Sequence, residues 1–200
     1  MSTPPTVSFD VRSALQRLQT AFDHPTDASA LMALRALAGE IVDQTPSALG
    51  PWLTRHSNDG ATHHSLRVAV IAVSLGRTLG LSEGYLQAVA LGGLLHDFGL
   101  SLMPDHTPTP RVSADLATTH DPLPALAHEA ILHHRERFDG LGQPYGLSGD
   151  DIPLPGRLVG LANLLDAAMI GQGIEFTAFE DDGACDPQLM QALQGLAQRV

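Results

Sequence analysis

Apolar residues recur at helical spacing along most of the chain. In residues 8–22, Leu18 and Phe22 fall on one face of a predicted helix, and a similar apolar stripe runs through residues 27–44. The polar segment between these two ranges predicts a turn, and a third, short helix is predicted over residues 46–56. The first quarter of the chain is therefore expected to be helical.

Two stronger helix patterns follow this region. Apolar residues at helical spacing run from Thr62, a predicted N-cap, to Gly80, a residue type that commonly ends helices. Ser82 is the predicted N-cap of the next helix, which extends to about Asp97. This helix contains the pair Gly92–Gly93, and because glycine has no side chain, a neighbouring helix is expected to approach closely there.

The second half of the chain alternates loops with helices. Residues 103–124 are rich in Pro, Thr and Asp, which predicts a loop with at most one or two helical turns. Helical structure is predicted to resume over 124–137 and again over 155–169. The last helix is predicted to begin at Asp186 and Pro187, a capping residue followed by a first-turn proline.

The composition supports an all-helical fold. Ala, Leu and Gly dominate, and aromatic residues make up 4% of the chain, which favours closely packed helices over a pleated sheet. We predict an all-α protein with a helical N-terminal extension, residues 1–50, and one main domain, residues 51–200.

The charge balance narrows the classes of ligand. The formal net charge is -11 and only 11 residues are Lys or Arg, which argues against binding of a nucleic-acid polymer. An anionic ligand would need bound metal ions or local arginines. The apolar runs are too short to span a bilayer, no signal peptide is recognisable, and the single cysteine, Cys185, excludes an intrachain disulfide. A cytoplasmic protein without membrane contact is expected.

The ten histidines are concentrated near the ends of predicted helices. His64 lies near the start of one helix, His96 ends the next, and His133 and His134 lie near the end of another. Neutral imidazole is a common metal ligand, and rigid helix ends can bring such ligands together. A single histidine is more often a capping, solvated or core residue. The adjacent pair His96 and Asp97 follows an apolar helix, where burial without a partner or metal is costly.

Five segments in order carry a resemblance to a known family. They are DGATHHSLRVAV, LLHDFG, HHRERFDGLGQPYG, PGRLVGLANLLDA and CDPQLMQAL, and together they span about residues 50–200. The chain resembles HD-GYP domains, a branch of the HD phosphohydrolase superfamily associated with hydrolysis of the bacterial messenger cyclic di-GMP. The resemblance implies a helical HD-domain bundle with a metal-dependent phosphodiesterase site.

The same resemblance implies the residues of that site. His64, His96, Asp97 and His134 are expected as the core ligands of one or two divalent cations, Fe or Mn, with His96 and Asp97 at the centre of the catalysis. The further candidate ligands are His133, His120 and Asn163, and the candidate substrate contacts are Arg157, Arg135 and Gln143.

The register of the histidine pair stays open at this stage. Alignment on the run Glu-Arg-Phe-Asp-Gly makes His134 the first histidine of the family's pair and places Arg135 where the second is expected. A one-residue insertion would instead keep His133 and His134 as the pair. Consecutive helix residues point about 100° apart, so the two registers predict different ligands.

Other positions depart from the family pattern. Gly60 stands where a glutamate is often found, Leu100 replaces a lysine, and Asn163 replaces the final aspartate of the metal site. The Gly-Tyr-Pro motif is Gly-Gln-Pro here. An amide oxygen can bind a hard cation but brings no negative charge. Asp166, one turn after Asn163, is expected to have a structural role. The alternative is that Asp166 replaces Asn163 as a metal ligand.

Three functional hypotheses follow. The first is a metal-dependent phosphohydrolase that acts on cyclic di-GMP, another cyclic dinucleotide or a related phosphodiester. The second is a regulatory domain that binds a cyclic dinucleotide or a signalling protein, such as a diguanylate cyclase domain, without hydrolysis. The third is a helical interaction module without metal, which would leave His64, His96 and Asp97 without an obvious partner.

Overall fold

The regular structure is helical throughout the described part of the chain. The computed structural model describes residues 9–45, 49, 52–53, 56–57, 60–102, 109–119, 122–171, 175 and 178–197. The α-helices with defined bounds are α1 Val11–Asp23, α2 Ala28–Gln44, α3 Ala61–Thr78, α4 Glu83–Leu95, α5 Pro110–Ala117, α6 Ala125–His133, α7 Leu154–Gly171 and α8 Pro187–Ala197. Short 3-10 helices cover Phe98–Ser101 and Gly149–Asp151. The predicted all-α class is confirmed.

Polar side chains define where several helices begin. The carboxylates of Asp10 and Asp27 accept hydrogen bonds from backbone N–H groups in the first turns of α1 and α2. The Ser82 hydroxyl does the same for α4, and the Asp186 carboxylate accepts from the backbone N–H of Gln188 at 2.7 Å at the start of α8. Because Asp10 caps it, α1 begins at Val11 rather than at residue 8.

The start of α3 differs from the prediction. The helix begins at Ala61 after Gly60, which has a φ of 125°, and Gly60 makes no side-chain cap. Thr62 is therefore inside the helix and not its N-cap. A φ in this range strains any residue with a Cβ, which gives a backbone reason for glycine at a position where the resemblance leads one to expect glutamate.

Two other boundaries are corrected or confirmed by the structure. The helix predicted over 124–137 ends at His133, after which the backbone turns and the Glu136 N–H donates to the His133 carbonyl at 3.0 Å. Residues 103–124 contain α5, two turns long, as the prediction allowed. The short helix predicted over 46–56 falls largely outside the described residues.

Helices α3 and α4 form the centre of the bundle. Every residue of α3 from Ser65 to Gly76 is buried, and α4 packs against α2, α3 and α6. The close approach predicted at Gly92–Gly93 is confirmed. A Cβ on Gly93 would lie 2.8 Å from the Cα of Ala69, and a Cβ on Gly92 would lie 2.4 Å from the Cβ of Ala130. These contacts bring the ends of α3, α4 and α6 together.

Helices α1 and α2 belong to the same hydrophobic core. Leu18, Leu34 and Leu37 are fully buried, and the Phe22 ring meets the Phe98 ring edge to face with centroids 5.3 Å apart. Phe98 directly follows Asp97, so the N-terminal helices support the segment that carries the candidate site. The division at residue 50 stays a prediction.

Of the helices that the structure describes, none has both the length and the apolar character needed to cross a bilayer.

The helix contact at Gly93 predicts a measurable loss of stability on substitution. Gly93→Ala forces a Cβ against the Ala69 backbone, and overpacking of this kind should lower the free energy of unfolding by about 1–3 kcal/mol. The matched control is Gly84→Ala in the same helix, where a Cβ meets nothing within 4 Å. That control should be neutral or stabilising by up to about 1 kcal/mol. Urea denaturation measures both, and equal effects would contradict the packing argument.

Candidate metal centre

Three side chains converge where α3 and α4 meet. His64 lies in the first turn of α3, His96 follows the last residue of α4, and Asp97 is the next residue. One potential ligand atom from each residue lies within 4.8 Å of the others. His96 is fully buried, whereas 22% of the His64 side chain and 18% of the Asp97 side chain are exposed, so a ligand can reach the cluster from one side.

Backbone contacts define the tautomer of two histidines. His96 Nδ1–H donates to the carbonyl oxygen of Gly93 at 2.8 Å, and His134 Nδ1–H donates to the carbonyl oxygen of Ile131 at 2.7 Å. In the neutral ring, the other nitrogen, Nε2, then carries a lone pair. Both Nε2 atoms are therefore available as metal ligands or hydrogen-bond acceptors.

A buried carboxylate defines the tautomer of the third histidine. His64 Nδ1–H donates to Asp166 Oδ2 at 2.7 Å, and the guanidinium of Arg67 donates to the same carboxylate, with Nη2 2.9 Å from Oδ2. Arg67 and Asp166 are each 2% exposed. A carboxylate that holds a histidine by its far nitrogen is the usual outer partner of a metal-bound imidazole.

The donor set fits a cation. The Nε2 atoms of His64 and His96 lie 3.1 Å apart, and the Nδ1 contacts leave a lone pair on each in the neutral rings. Two lone pairs at this distance repel unless a proton or a metal ion lies between or beside them. Asp97 Oδ2 is 3.5 Å from His96 Nε2 and supplies negative charge to the same place. The described residues thus contain a His/Asp cluster suited to a divalent cation.

His134 and Arg135 close the other side of Asp97. The His134 ring packs edge to face against the His96 ring, with centroids 4.9 Å apart, and its Nε2 is 3.8 Å from Asp97 Oδ1. Arg135 Nη2 donates to Asp97 Oδ1 at 2.6 Å, and Arg135 Nε donates to His134 Nε2 at 3.2 Å. Asp97 Oδ2 therefore faces His96, whereas Oδ1 faces both His134 and the Arg135 guanidinium.

The environment sets the charge states of the cluster. Burial acts to raise the pKa of Asp97, but His96, His134 and Arg135 outweigh it and hold that pKa well below its ordinary value. Burial, together with His96, lowers the pKa of His134 from 6.5 to about 3. At neutral pH, Asp97 is ionised and His134 is neutral, as metal ligation requires.

The register of the histidine pair is clear in the structure. His134 faces the cluster, whereas His133 Nε2 lies 3.2 Å from Glu129 Oε2 and the His133 ring lies 5.7 Å from the Tyr145 ring. The structure therefore does not bring His133 to the candidate centre. The arrangement corresponds to the alignment in which Arg135 stands at the second histidine position.

The candidate substrate contacts differ in their surroundings. Arg157 Nη1 donates to Asp150 at 2.8 Å and to Asp186 at 2.7 Å, so this arginine anchors the loop before α7 to the start of α8. The Gln143 side chain is exposed, and its backbone N–H donates to the carbonyl oxygen of Arg135 at 2.9 Å. Only Arg135 of the three candidates touches the cluster.

The other candidate ligands are Asn163, Asp166 and His120. Asn163 is partly exposed on α7, one turn before Asp166, and its amide has no hydrogen-bond partner among the described residues. Asp166 is committed to His64 and Arg67, the structural arrangement expected for it. His120 lies outside the described residues.

Sequence reasoning missed the role of Arg67. The signal was present, because Arg67 is a charged residue within the otherwise apolar stretch Leu66–Val73 of a strong helix pattern. A charge at such a position requires a buried partner. The pattern could not identify that partner, which lies 99 residues away on α7.

Comparisons with known proteins show which family the chain matches. A model of the HD domain family matches residues 62–168. A cyclic di-GMP phosphodiesterase of Pseudomonas aeruginosa is 30% identical over 156 residues, which are 66% of this chain and 38% of that protein. The 3'3'-cGAMP-specific phosphodiesterase 3 of Vibrio cholerae is 30% identical over 175 residues, 79% of this chain and 35% of that protein.

A solved structure shares the fold. It is an HDG"Y"P protein from Bdellovibrio bacteriovorus, with a TM-score of 0.74 and 21% identity, and the match covers 93% of this chain and 69% of that one. The chain spans 34% to 38% of the length of the first curated relatives that it matches.

The buried neutral state of His134 predicts a pH dependence of stability in protein freed of metal with a chelator. Below pH 6.5 this histidine takes up a proton in the unfolded chain. In the folded chain it stays neutral until the pH approaches its folded pKa of about 3. The free energy of unfolding should therefore decrease as the pH is lowered through this window. His134 should contribute up to about 1.4 kcal/mol per pH unit to that decrease.

Urea denaturation of His134→Gln at a series of pH values tests this origin. The variant should show a shallower slope than the native chain between about pH 6.5 and about pH 5. His24→Gln, a change at an exposed histidine, should leave the slope unaltered. An undiminished slope in His134→Gln would assign the pH dependence to other groups.

Proposed function

The chain belongs to the HD domain family, and its relatives confirm the resemblance to the HD-GYP branch, so we propose that it is a metal-dependent phosphohydrolase acting on a cyclic dinucleotide. Cyclic di-GMP or a related phosphodiester is the proposed substrate. Several relatives are cyclic di-GMP or 3'3'-cGAMP phosphodiesterases, and this chain matches only part of their length.

One observation carries the proposal. The Nε2 atoms of His64 and His96 lie 3.1 Å apart beside the ionised Asp97, in a partly open cluster. This arrangement is unfavourable unless a proton or a metal ion lies at the two nitrogens, and with Asp97 beside them it suits a divalent cation. A helical interaction module without metal would not require this cluster of His64, His96 and Asp97.

The proposed cation is Fe or Mn, held by His64, His96 and Asp97. Two imidazoles and one carboxylate with open positions on the exposed side suit these metals. When bound, such an ion supplies the positive charge that an acidic protein lacks, neutralises a phosphate group and activates water for attack on phosphorus.

The chain's own residues orient and polarise this centre. Asp166 and Arg67 hold the His64 ring so that Nε2 faces the cluster, and the Gly93 carbonyl does the same for His96. Asp97 is ionised and can accept a hydrogen bond from an attacking water. The Arg135 side chain, 25% exposed, can donate to a phosphate oxygen at the rim.

A second candidate function is supported by a specific contact. Arg135 already pairs with Asp97 at 2.6 Å, and Asn163 lacks the charge of an aspartate. Both features favour binding of a cyclic dinucleotide without hydrolysis. Regulation through a signalling protein, such as a diguanylate cyclase domain, belongs to this alternative. A location in the cytoplasm is proposed for either function.

Metal analysis and a hydrolysis assay together separate these functions. The native chain, loaded anaerobically with Fe²⁺ or with Mn²⁺, should bind metal stoichiometrically and cleave cyclic di-GMP. His96→Ala should lose both properties because it removes a buried ligand, and His24→Ala should retain both. Metal without turnover would establish the binding function, and absence of metal from the native chain would refute the proposed centre.

Restoring a carboxylate at position 163 tests that position as a missing ligand. Asn163→Asp should raise the affinity for Mn²⁺ by about tenfold or more, since supporting carboxylates contribute on this scale. Isothermal titration measures the change, and Asn163→Ala is the neutral control. Equal affinities in both variants would show that residue 163 does not contribute to the centre.

A further inference from the structure

We propose that the guanidinium of Arg135 occupies the place of a second metal ion, so that the centre binds one divalent cation per chain. The inference rests on the proposed function, because it concerns the number of ions in the same centre. It assigns Arg135 as a positioning residue that limits metal stoichiometry. The sequence alone allowed one or two ions.

The two oxygens of Asp97 have different partners. Oδ2 lies 3.5 Å from His96 Nε2, on the side of the His64 and His96 pair. Oδ1 accepts a hydrogen bond from Arg135 Nη2 at 2.6 Å. In two-metal sites, where the ions lie roughly 3.5–4 Å apart, a bridging carboxylate commonly gives one oxygen to each ion. Here the second oxygen is given to a guanidinium.

The ligand expected for a second ion is engaged by the same side chain. The Nδ1 contact of His134 with Ile131 leaves Nε2 as the atom that could bind a metal. That atom lies 3.8 Å from Asp97 Oδ1 and accepts a hydrogen bond from Arg135 Nε at 3.2 Å. Arg135 therefore contacts both atoms, Asp97 Oδ1 and His134 Nε2, that would have to hold a second ion.

The position of Arg135 is supported from the backbone. Its carbonyl oxygen accepts a hydrogen bond from the Gln143 N–H at 2.9 Å, and Gly142 packs so closely that a Cβ there would lie 2.2 Å from the Arg137 nitrogen. A second divalent cation would have to displace a permanently charged guanidinium and would be repelled by it at short range. The remaining ligands, His64, His96 and Asp97, are sufficient for one ion.

Counting the bound ions tests this assignment directly. The native chain is stripped of metal, titrated with Mn²⁺ to saturation, and its bound metal is measured by elemental analysis after removal of free ions. We expect one Mn²⁺ per chain in the native protein. Arg135→His frees Asp97 Oδ1 and adds an imidazole, so this variant should bind two ions.

A neighbouring arginine provides the matched control. Arg137 is two residues further along and pairs with Asp139 and Asp182, outside the cluster. Arg137→His adds the same side chain and should leave the stoichiometry at one. Electron paramagnetic resonance adds an independent readout, with the spectrum of an isolated Mn²⁺ in the native chain and magnetic coupling between two ions in Arg135→His.

The outcomes distinguish this inference from the proposed function. Two or more ions in the native chain would overturn the role of Arg135 and leave a metal-dependent function intact. A single uncoupled ion in folded Arg135→His would also overturn it. No ion in the native chain would overturn the proposed function itself. The native titration is decisive even if the variant does not fold.

Discussion

The buried ion pair between Arg67 and Asp166 is the interaction on which the candidate centre depends. It joins α3 to α7, and the same carboxylate accepts the Nδ1 hydrogen of His64. Loss of one partner of such a pair typically costs about 3–5 kcal/mol, because the other charge is left buried. It would also release the His64 ring. One contact therefore links the stability of the bundle to the direction in which a ligand nitrogen points.

Close helix packing brings the remaining parts to this pair. Gly92 and Gly93 let α4 approach α6 and α3, and a Cβ on Gly160 of α7 would lie 2.9 Å from the His134 carbonyl oxygen. Larger residues at these positions would force the helices apart, because an added Cβ would overlap the neighbouring helix. The geometry of the centre is thus a consequence of packing between small residues, and the polar residues are placed by it.

Much of this arrangement could be predicted from particular residues. The helical spacing of apolar residues predicted α3 and α4, and the convergence of His64 with His96 and Asp97 agrees with the family resemblance. Sequence patterns failed where a local preference was overridden. Gly60 with positive φ, and not Thr62, precedes α3, and α6 ends at His133 although its helical pattern continues to Arg137. The role of Arg67 required a partner distant in the chain.

The sequence by itself determined the helical class, the family and the residues available for metal binding, because these follow from local periodicity and ordered motifs. Only the tertiary structure decided which nitrogen of each histidine faces the centre, that His134 and not His133 lies there, and that Arg135 pairs with Asp97. The physical reason is that tautomer, side-chain direction and ion pairing depend on groups from separate helices. Their positions relative to one another are set by packing, which a linear pattern does not contain.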